Sequence, residues 1–285
     1  MPLDEVLMIV ALGAYVVSAL ALLVYFFSRE EWLRHLAIPL AIAGCVAQFA
    51  QLLARYEITG IWPLLNLYGS LSLFAAVSVA IFIIFAFRYN LWFAGGFVIG
   101  LAAIFLAYGV TWNEGTMPAV PSLQSYWAKI HVPLVVSSYA AFMVSFVISV
   151  LYLVKYYVGG TTGGLAYQTP QGTRAGAWFD AIPSLAQLDI LIYRVVAVGL
   201  PLLTLGIITG AMWAHESWGA YWQWDPKETA ALFSWIIYAM YMHLHTRNAW
   251  RGVRCAWVSA IGFLSIMFCY FGVNLWISGL HSYKI

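Results

Sequence analysis

Apolar residues run along this chain in long unbroken blocks instead of alternating with polar ones. Eight such blocks stand out: Val6–Phe27, Leu36–Leu53, Trp62–Phe87, Leu91–Thr111, Ile130–Val154, Ile190–Trp213, Thr229–Leu244 and Cys255–Trp276. A helix needs roughly 20 mostly apolar residues to cross a hydrocarbon core about 30 Å thick. The pattern predicts an all-α polytopic membrane protein of about eight transmembrane helices, a single domain over residues 1–285. The connections leave no room for a sizeable soluble domain. Acidic Asp4 and Glu5 precede the first block where a cleavable leader carries basic residues, so that block reads as a span.

The polar positions between the blocks set an orientation. With eight spans, Arg29, Arg34, Arg88, Lys155, Arg174, Arg194, Arg247, Arg251 and Arg254 fall on one side, and only Arg55, Lys129, Lys227 and Lys284 on the other. Basic residues gather in the cytoplasm, so both termini are expected on the outer (periplasmic or lumenal) side. Most acidic residues, from Asp4 and Glu5 to Asp225 and Glu228, lean outward as well. The longest connection, residues 158–189, is then a cytoplasmic loop. Its glycine-rich first half reads as flexible linker, and Trp178 to Leu185 as a segment suited to the membrane surface.

Composition narrows the class further. The chain is 64% hydrophobic and 8% charged, against about 25% charged in soluble domains; lipid is the solvent that suits it. A net charge of +2 from 13 basic and 11 acidic residues, with no basic cluster, excludes nucleic-acid binding. Cys45, Cys255 and Cys269 show neither metal-ligand nor disulfide spacing.

Two local features carry chemistry. The first is the tryptophan-rich stretch 213–228, Trp213-Ala-His-Glu-Ser-Trp218-Gly-Ala-Tyr221-Trp222-Gln-Trp224-Asp225-Pro-Lys227-Glu228, read as an outer loop. Aromatics favour any membrane interface, but belts scatter them, whereas here they crowd one connection. Asp225, Pro226 and Glu228 form an N-cap, first-turn proline and capping box, which starts the seventh helix at Pro226. A capped helix can hold the aromatics as a rigid shelf for a planar apolar ligand, whose charged edge meets Lys227 or the N–H groups of the helix start.

The second feature is the histidines. His131 begins the fifth span and His281 follows the eighth, both on the outer side. Singly, each suits an interfacial side chain; together, two opposed neutral imidazoles are a way to hold haem iron. Zinc wants three or four ligands and finds no others. His243 and His245 point to opposite faces of one helix. His245 lies 19 residues beyond Pro226, roughly 28 Å at 1.5 Å per residue, which puts it at the cytoplasmic end without an evident second ligand. His35 reads as solvated, and His215 is undecided.

Trp218 through Glu228 resembles the tryptophan-rich "WWD" signature of the haem-handling proteins of cytochrome c maturation, and of these the CcsA (ResC) family in particular. Pro63-Leu64-Leu65-Asn66-Leu67-Tyr68, Pro183-Ser184-Leu185, Tyr193-Arg194, Leu244-His245-Thr246-Arg247 and the stretch from Val273 through Tyr283 look like family segments in family order. Gly69, His215 and His243 depart from it; a Glu is expected at the first and an uncharged polar residue at the second.

The resemblance implies haem transport across the membrane, presentation on the outer face, and attachment to the CxxCH thiols of apocytochrome c. The chain would then be the haem-attaching subunit of a haem lyase complex. The expected cofactor is haem b. Its iron would be held by His131 and His281 against Trp218, Tyr221, Trp222 and Trp224, with Asp225 and Lys227 beside it. His245 matches the histidine of an inner haem stop, whose opposing ligand comes from a ResB/Ccs1-type membrane subunit. That subunit, apocytochrome c, membrane lipid and, indirectly, thiol-reducing proteins are the partners implied. No general base is assigned. A b-type membrane cytochrome carrying electrons between quinone and an outer acceptor is the alternative, and an aromatic-gated transporter, which predicts no chromophore, a third.

Overall fold

In a computed structural model of the protein, described over residues 1–64, 66–113, 124–158, 182–273 and residue 277, the regular elements are all helices. In chain order they are α1 Leu3–Ser28, α2 Glu31–Thr59, α3 Leu67–Tyr89, α4 Gly95–Val110 with the short turn Leu91–Ala94 before it, α5 Tyr126–Val158, α6 Leu185–Trp218, α7 Pro226–His245 and α8 Val253–Met267. The last continues into a wider π-turn over Phe268–Gly272. Among the described residues, seven helices are long and apolar enough to cross a membrane. Helix α7, with 20 residues, spans about 30 Å at 1.5 Å per residue but carries Lys227, Glu228, His243 and His245 at its ends. With it, the described residues hold seven or eight helices of membrane-spanning length.

The helices alternate in direction and form two groups. Helix α1 packs on α2 and α4, and α3 on α4 and α2; in the second group α5 packs on α6 and α8, and α7 on both α6 and α8. Contact between α3 and α5 joins the groups, and Ser70 Oγ meets Tyr270 Oη at 2.6 Å across the same seam. The starts of α1, α3, α5 and α7 share one end of the bundle, called the tryptophan end below.

Two local findings refine the expectations. Asp4 and Arg55, counted above as flanking charges, are both buried: Arg55 donates to Asp4 at 3.2 Å and to Asn113 at 3.0 Å, and its guanidinium lies 4.4 Å from the centre of the Tyr68 ring. Gln51 donates to Tyr68 Oη and Gln48 to Gln51, extending this polar row into the bundle. Gly69, where a Glu was expected, stands at a close backbone approach; a Cβ there would lie 1.5 Å from the Pro63 carbonyl oxygen. Residues 159–181 of the long connection lie outside the described residues. At its end, Lys155 donates to the Ile182 carbonyl, and Ser184 with Gln187 forms the capping box that starts α6.

Candidate functional site

The tryptophan end is built on the close approach of α5 and α6. Gly206 and Gly210, four apart on α6, remove the side chains that would separate the helices; a Cβ at Gly206 would stand 2.6 Å from Val135, and one at Gly210 2.7 Å from the His131 ring. His131, in the second turn of α5 and half-buried, therefore lies directly on the α6 backbone. Its Nδ1 is 2.7 Å from the Gly206 carbonyl oxygen. A carbonyl only accepts, so Nδ1 carries the hydrogen and Nε2 is the basic nitrogen. A backbone acceptor on the other ring nitrogen is how a ligating imidazole is oriented.

His131 leads into the aromatic cluster. Its ring lies 5.7 Å from Trp213, which lies 5.7 Å from Trp218. The stretch 213–228 is not all loop: α6 continues through Trp213 to Trp218, because nothing interrupts the helix until Gly219 takes φ +80 and its N–H caps His215. The connection proper is Gly219–Asp225. Ser125, just before α5, donates to Glu216 at 3.0 Å and ties the start of that helix to the end of α6.

Within the connection, Tyr221 stacks on His215 at 4.2 Å, and Trp222 meets Trp224 edge-on at 5.7 Å. Tyr221 is 53% exposed and Trp224 68%. Trp224 takes φ +58, a left-handed conformation that is strained for a bulky residue. What holds it there is the cap of α7. Glu228 accepts from the N–H groups of both Gln223 (2.9 Å) and Asp225 (3.2 Å), on either side of Trp224. Buried Asp225 accepts from the Lys227 N–H at 3.1 Å, completing the expected capping box. Asp225 is thus engaged in the cap, and Lys227 is half-buried on the first turn of α7, where the Cys269 thiol approaches its carbonyl at 3.7 Å.

These residues suit a flat apolar group: a histidine with its basic nitrogen set by the backbone, aromatic rings held beside it, and a helix N-terminus for an anionic edge. His281 lies outside the described residues, so the structure describes one of the two expected outer ligands.

His245 sits at the opposite end of α7. It is 7% exposed while His243 is exposed, as their spacing requires. Its Nε2 lies 3.0 Å from Asp189 Oδ2 on α6, and the other oxygen of that carboxylate accepts from the Gly252 N–H at 3.0 Å. Tyr193, one turn beyond Asp189, stacks on the imidazole at 4.6 Å. The bundle therefore separates His131 and His245 by the length of α7. His35 is exposed on the first turn of α2, and His215 serves as the stacking partner of Tyr221.

Sequence reasoning missed Asp189, Gly206, Gly210 and Glu216. The glycine pair had a signal in its four-residue spacing, and Asp189 had one as a lone acid at the edge of an apolar block. Nothing local marks Glu216, whose partner lies 91 residues away.

Comparison with known proteins places this arrangement. A relative from Synechococcus sp. (strain CC9902), named cytochrome c biogenesis protein CcsA, is 35% identical over 286 residues, covering 95% of this chain and 94% of its own length. The protein of the same name from Chlamydomonas reinhardtii is 35% identical over 260 residues, covering 88% of this chain and 69% of its own length. Among solved structures, a cytochrome c haem lyase, CcmF, superposes with a TM-score of 0.65 over 98% of this chain at 15% sequence identity, which shows a shared fold; this chain spans 50% of that one. The family model described as "cytochrome C assembly protein" matches residues 64–281, from the turn before α3 through the tryptophan cluster and beyond α8. On these grounds the chain belongs to the cytochrome c assembly protein family.

Proposed function

We propose that this chain binds haem b and presents it for covalent attachment to apocytochrome c, acting as the haem-attaching subunit of a haem lyase complex. Family membership supports the role in cytochrome c maturation. The observation that carries the site is the His131 imidazole, held through Nδ1 on the Gly206 carbonyl beside Trp213, with the strained and exposed Trp224 on the adjoining connection. His131 and His281 are the outer iron ligands in this reading. Trp218, Tyr221, Trp222 and Trp224 form the platform, and Asp225 and Lys227 sit at the helix start that receives the propionate edge. The tryptophan end and both termini face the periplasm or lumen. Haem supplies the vinyl groups that react with the thiols of CxxCH; the protein contributes proximity and orientation.

His245 is the inner stop, with its opposing ligand from a ResB-type subunit. Apocytochrome c, kept reduced by thiol-reducing proteins, is the acceptor, and membrane lipid is the surrounding solvent. The family assignment gives no support to a quinone-linked b-type cytochrome.

The test is purification from haem-replete cells with and without the partner subunit, followed by absorption spectra of His131→Ala and His281→Ala. Each variant is expected to lose bis-histidine character and recover it with added imidazole. A colourless wild-type protein, or spectra unchanged in both variants, rejects the reading.

A further inference from the structure

The geometry points to Asp189 as a positioning residue that holds His245 closed, so that this imidazole becomes available to iron only when the carboxylate lets go. The inference rests on the proposed role of His245 as a haem ligand and deepens it.

The nitrogen facing Asp189 is the one a haem iron needs. Nε2 stands clear of the Cβ, whereas Nδ1 sits next to it and faces back toward the helix, where a porphyrin would collide with the chain. In this structure Nε2 is 3.0 Å from Asp189 Oδ2. A carboxylate acceptor places the hydrogen on Nε2. Ligation through Nε2 therefore needs the ring to leave Asp189 and to carry its hydrogen on Nδ1 instead.

The surroundings reinforce the closed arrangement. His245 is buried, and Tyr193 covers one face of its ring at 4.6 Å. Arg251 donates through Nε to the His245 carbonyl at 2.8 Å, and the second oxygen of Asp189 holds the Gly252 N–H at 3.0 Å. Gly252 takes φ +83, and a Cβ there would meet the Tyr152 hydroxyl at 2.7 Å. One carboxylate thus fastens both the last residue of α7 and the turn into α8 onto α6. This differs from the usual carboxylate partner of a ligating histidine, which sits on the nitrogen away from the metal and strengthens ligation. Here the acid occupies the ligating nitrogen and competes with iron for it. Such an arrangement keeps the receiving histidine masked until haem arrives to take the place of the acid.

The test uses the full chain in detergent, in two parts. Without haem, diethyl pyrocarbonate labelling read by mass spectrometry is expected to leave His245 protected in the wild type and reactive in Asp189→Ala. Asp189→Asn, which keeps an acceptor for Gly252 and therefore guards against misfolding, falls between them. Equal labelling in all three proteins overturns the latch. With haem, a Soret titration of the chain co-purified with its ResB-type partner subunit, in a His131→Ala background, reports the inner site, with His245→Ala as its blank. The Asp189 variants are expected to bind about tenfold more tightly, the change produced by releasing one hydrogen bond to a charged acceptor. Weaker binding makes Asp189 a supporting partner and overturns the latch. Absence of a Soret band in every protein, despite Asp189-dependent labelling, instead rejects His245 as a haem ligand and removes the latch's purpose with it.

Discussion

Phe142 of α5 and Tyr238 of α7 stack face to face, ring centres 3.6 Å apart and planes within 10°. Each is backed by a glycine on a further helix: Gly199 of α6 lies behind Phe142, and Gly262 of α8 behind Tyr238. Both rings are fully buried. Four helices thus meet in one solid layer between the two histidine levels. Outside this layer, Leu205 and Ile208 of α6 and Ile236 and Met240 of α7 are exposed on the surface of the bundle.

That layer has no room for extra methyls. Gly199→Ala and Gly262→Ala place a Cβ 2.7–2.8 Å from ring carbons and are expected to destabilise by about 1–3 kcal/mol each, the usual cost of overpacking. Gly13→Ala, with nothing within 4 Å of its Cβ, is expected to be neutral or to stabilise by up to ~1 kcal/mol through helix propensity. Thermal unfolding in detergent separates the two classes; equal effects at all three positions contradict the packing argument.

Gly210→Ala tests the seat of His131. A Cβ would lie 2.7–2.8 Å from Cε1 and Nδ1 of that ring, so the ring must turn away from the Gly206 carbonyl. Haem affinity at the tryptophan end is expected to fall about tenfold or more, the range seen when a ligand's supporting hydrogen bond is lost. The fall should be accompanied by a shifted Soret band, and the helices should stay folded by circular dichroism. An unshifted band at normal affinity means that the ring does not need this seat.

Trp224 and Glu228 give a paired prediction. Replacing Trp224 by Gly removes a left-handed conformation that costs about 1 kcal/mol or more while adding backbone entropy of similar size, so stability should barely change while haem binding weakens. Glu228→Gln removes the charged acceptor shared by Gln223 and Asp225. Hydrogen exchange is expected to quicken over residues 219–225 and to stay unchanged in α5. Loss of stability in Trp224→Gly, or unchanged exchange in Glu228→Gln, would show that the connection is held by other contacts.

The helices were legible in the sequence because membrane spans announce themselves through uninterrupted apolar length, and α7 began at Pro226 because the capping box is a local code. The divergent faces of His243 and His245 followed from helical periodicity alone. The end of α6 was read too early, at Trp213, because aromatic and polar residues were taken for loop, although the first residue able to end the helix is Gly219. Asp189 was not recognised because its partners are 56 and 63 residues away, and pairings between spans leave no trace in local patterning.

The same limit hid the Asp4–Arg55 pair, and it supports the last prediction. The two residues are 51 apart and both looked like charges outside the membrane, yet both are buried at the tryptophan end, ahead of the family-matched region. Removing one partner strands the other charge in a low-dielectric site, which costs about 3–5 kcal/mol. Asp4→Asn and Arg55→Met are each expected to lower the unfolding temperature sharply. The double variant should recover much of that loss, because replacing a buried pair by neutral groups is often nearly neutral. Asn113 and the Tyr68 ring also hold Arg55, so Arg55→Met should be the worse single change. Additive losses in the double variant would mean that the two charges act independently, each held by its other neighbours.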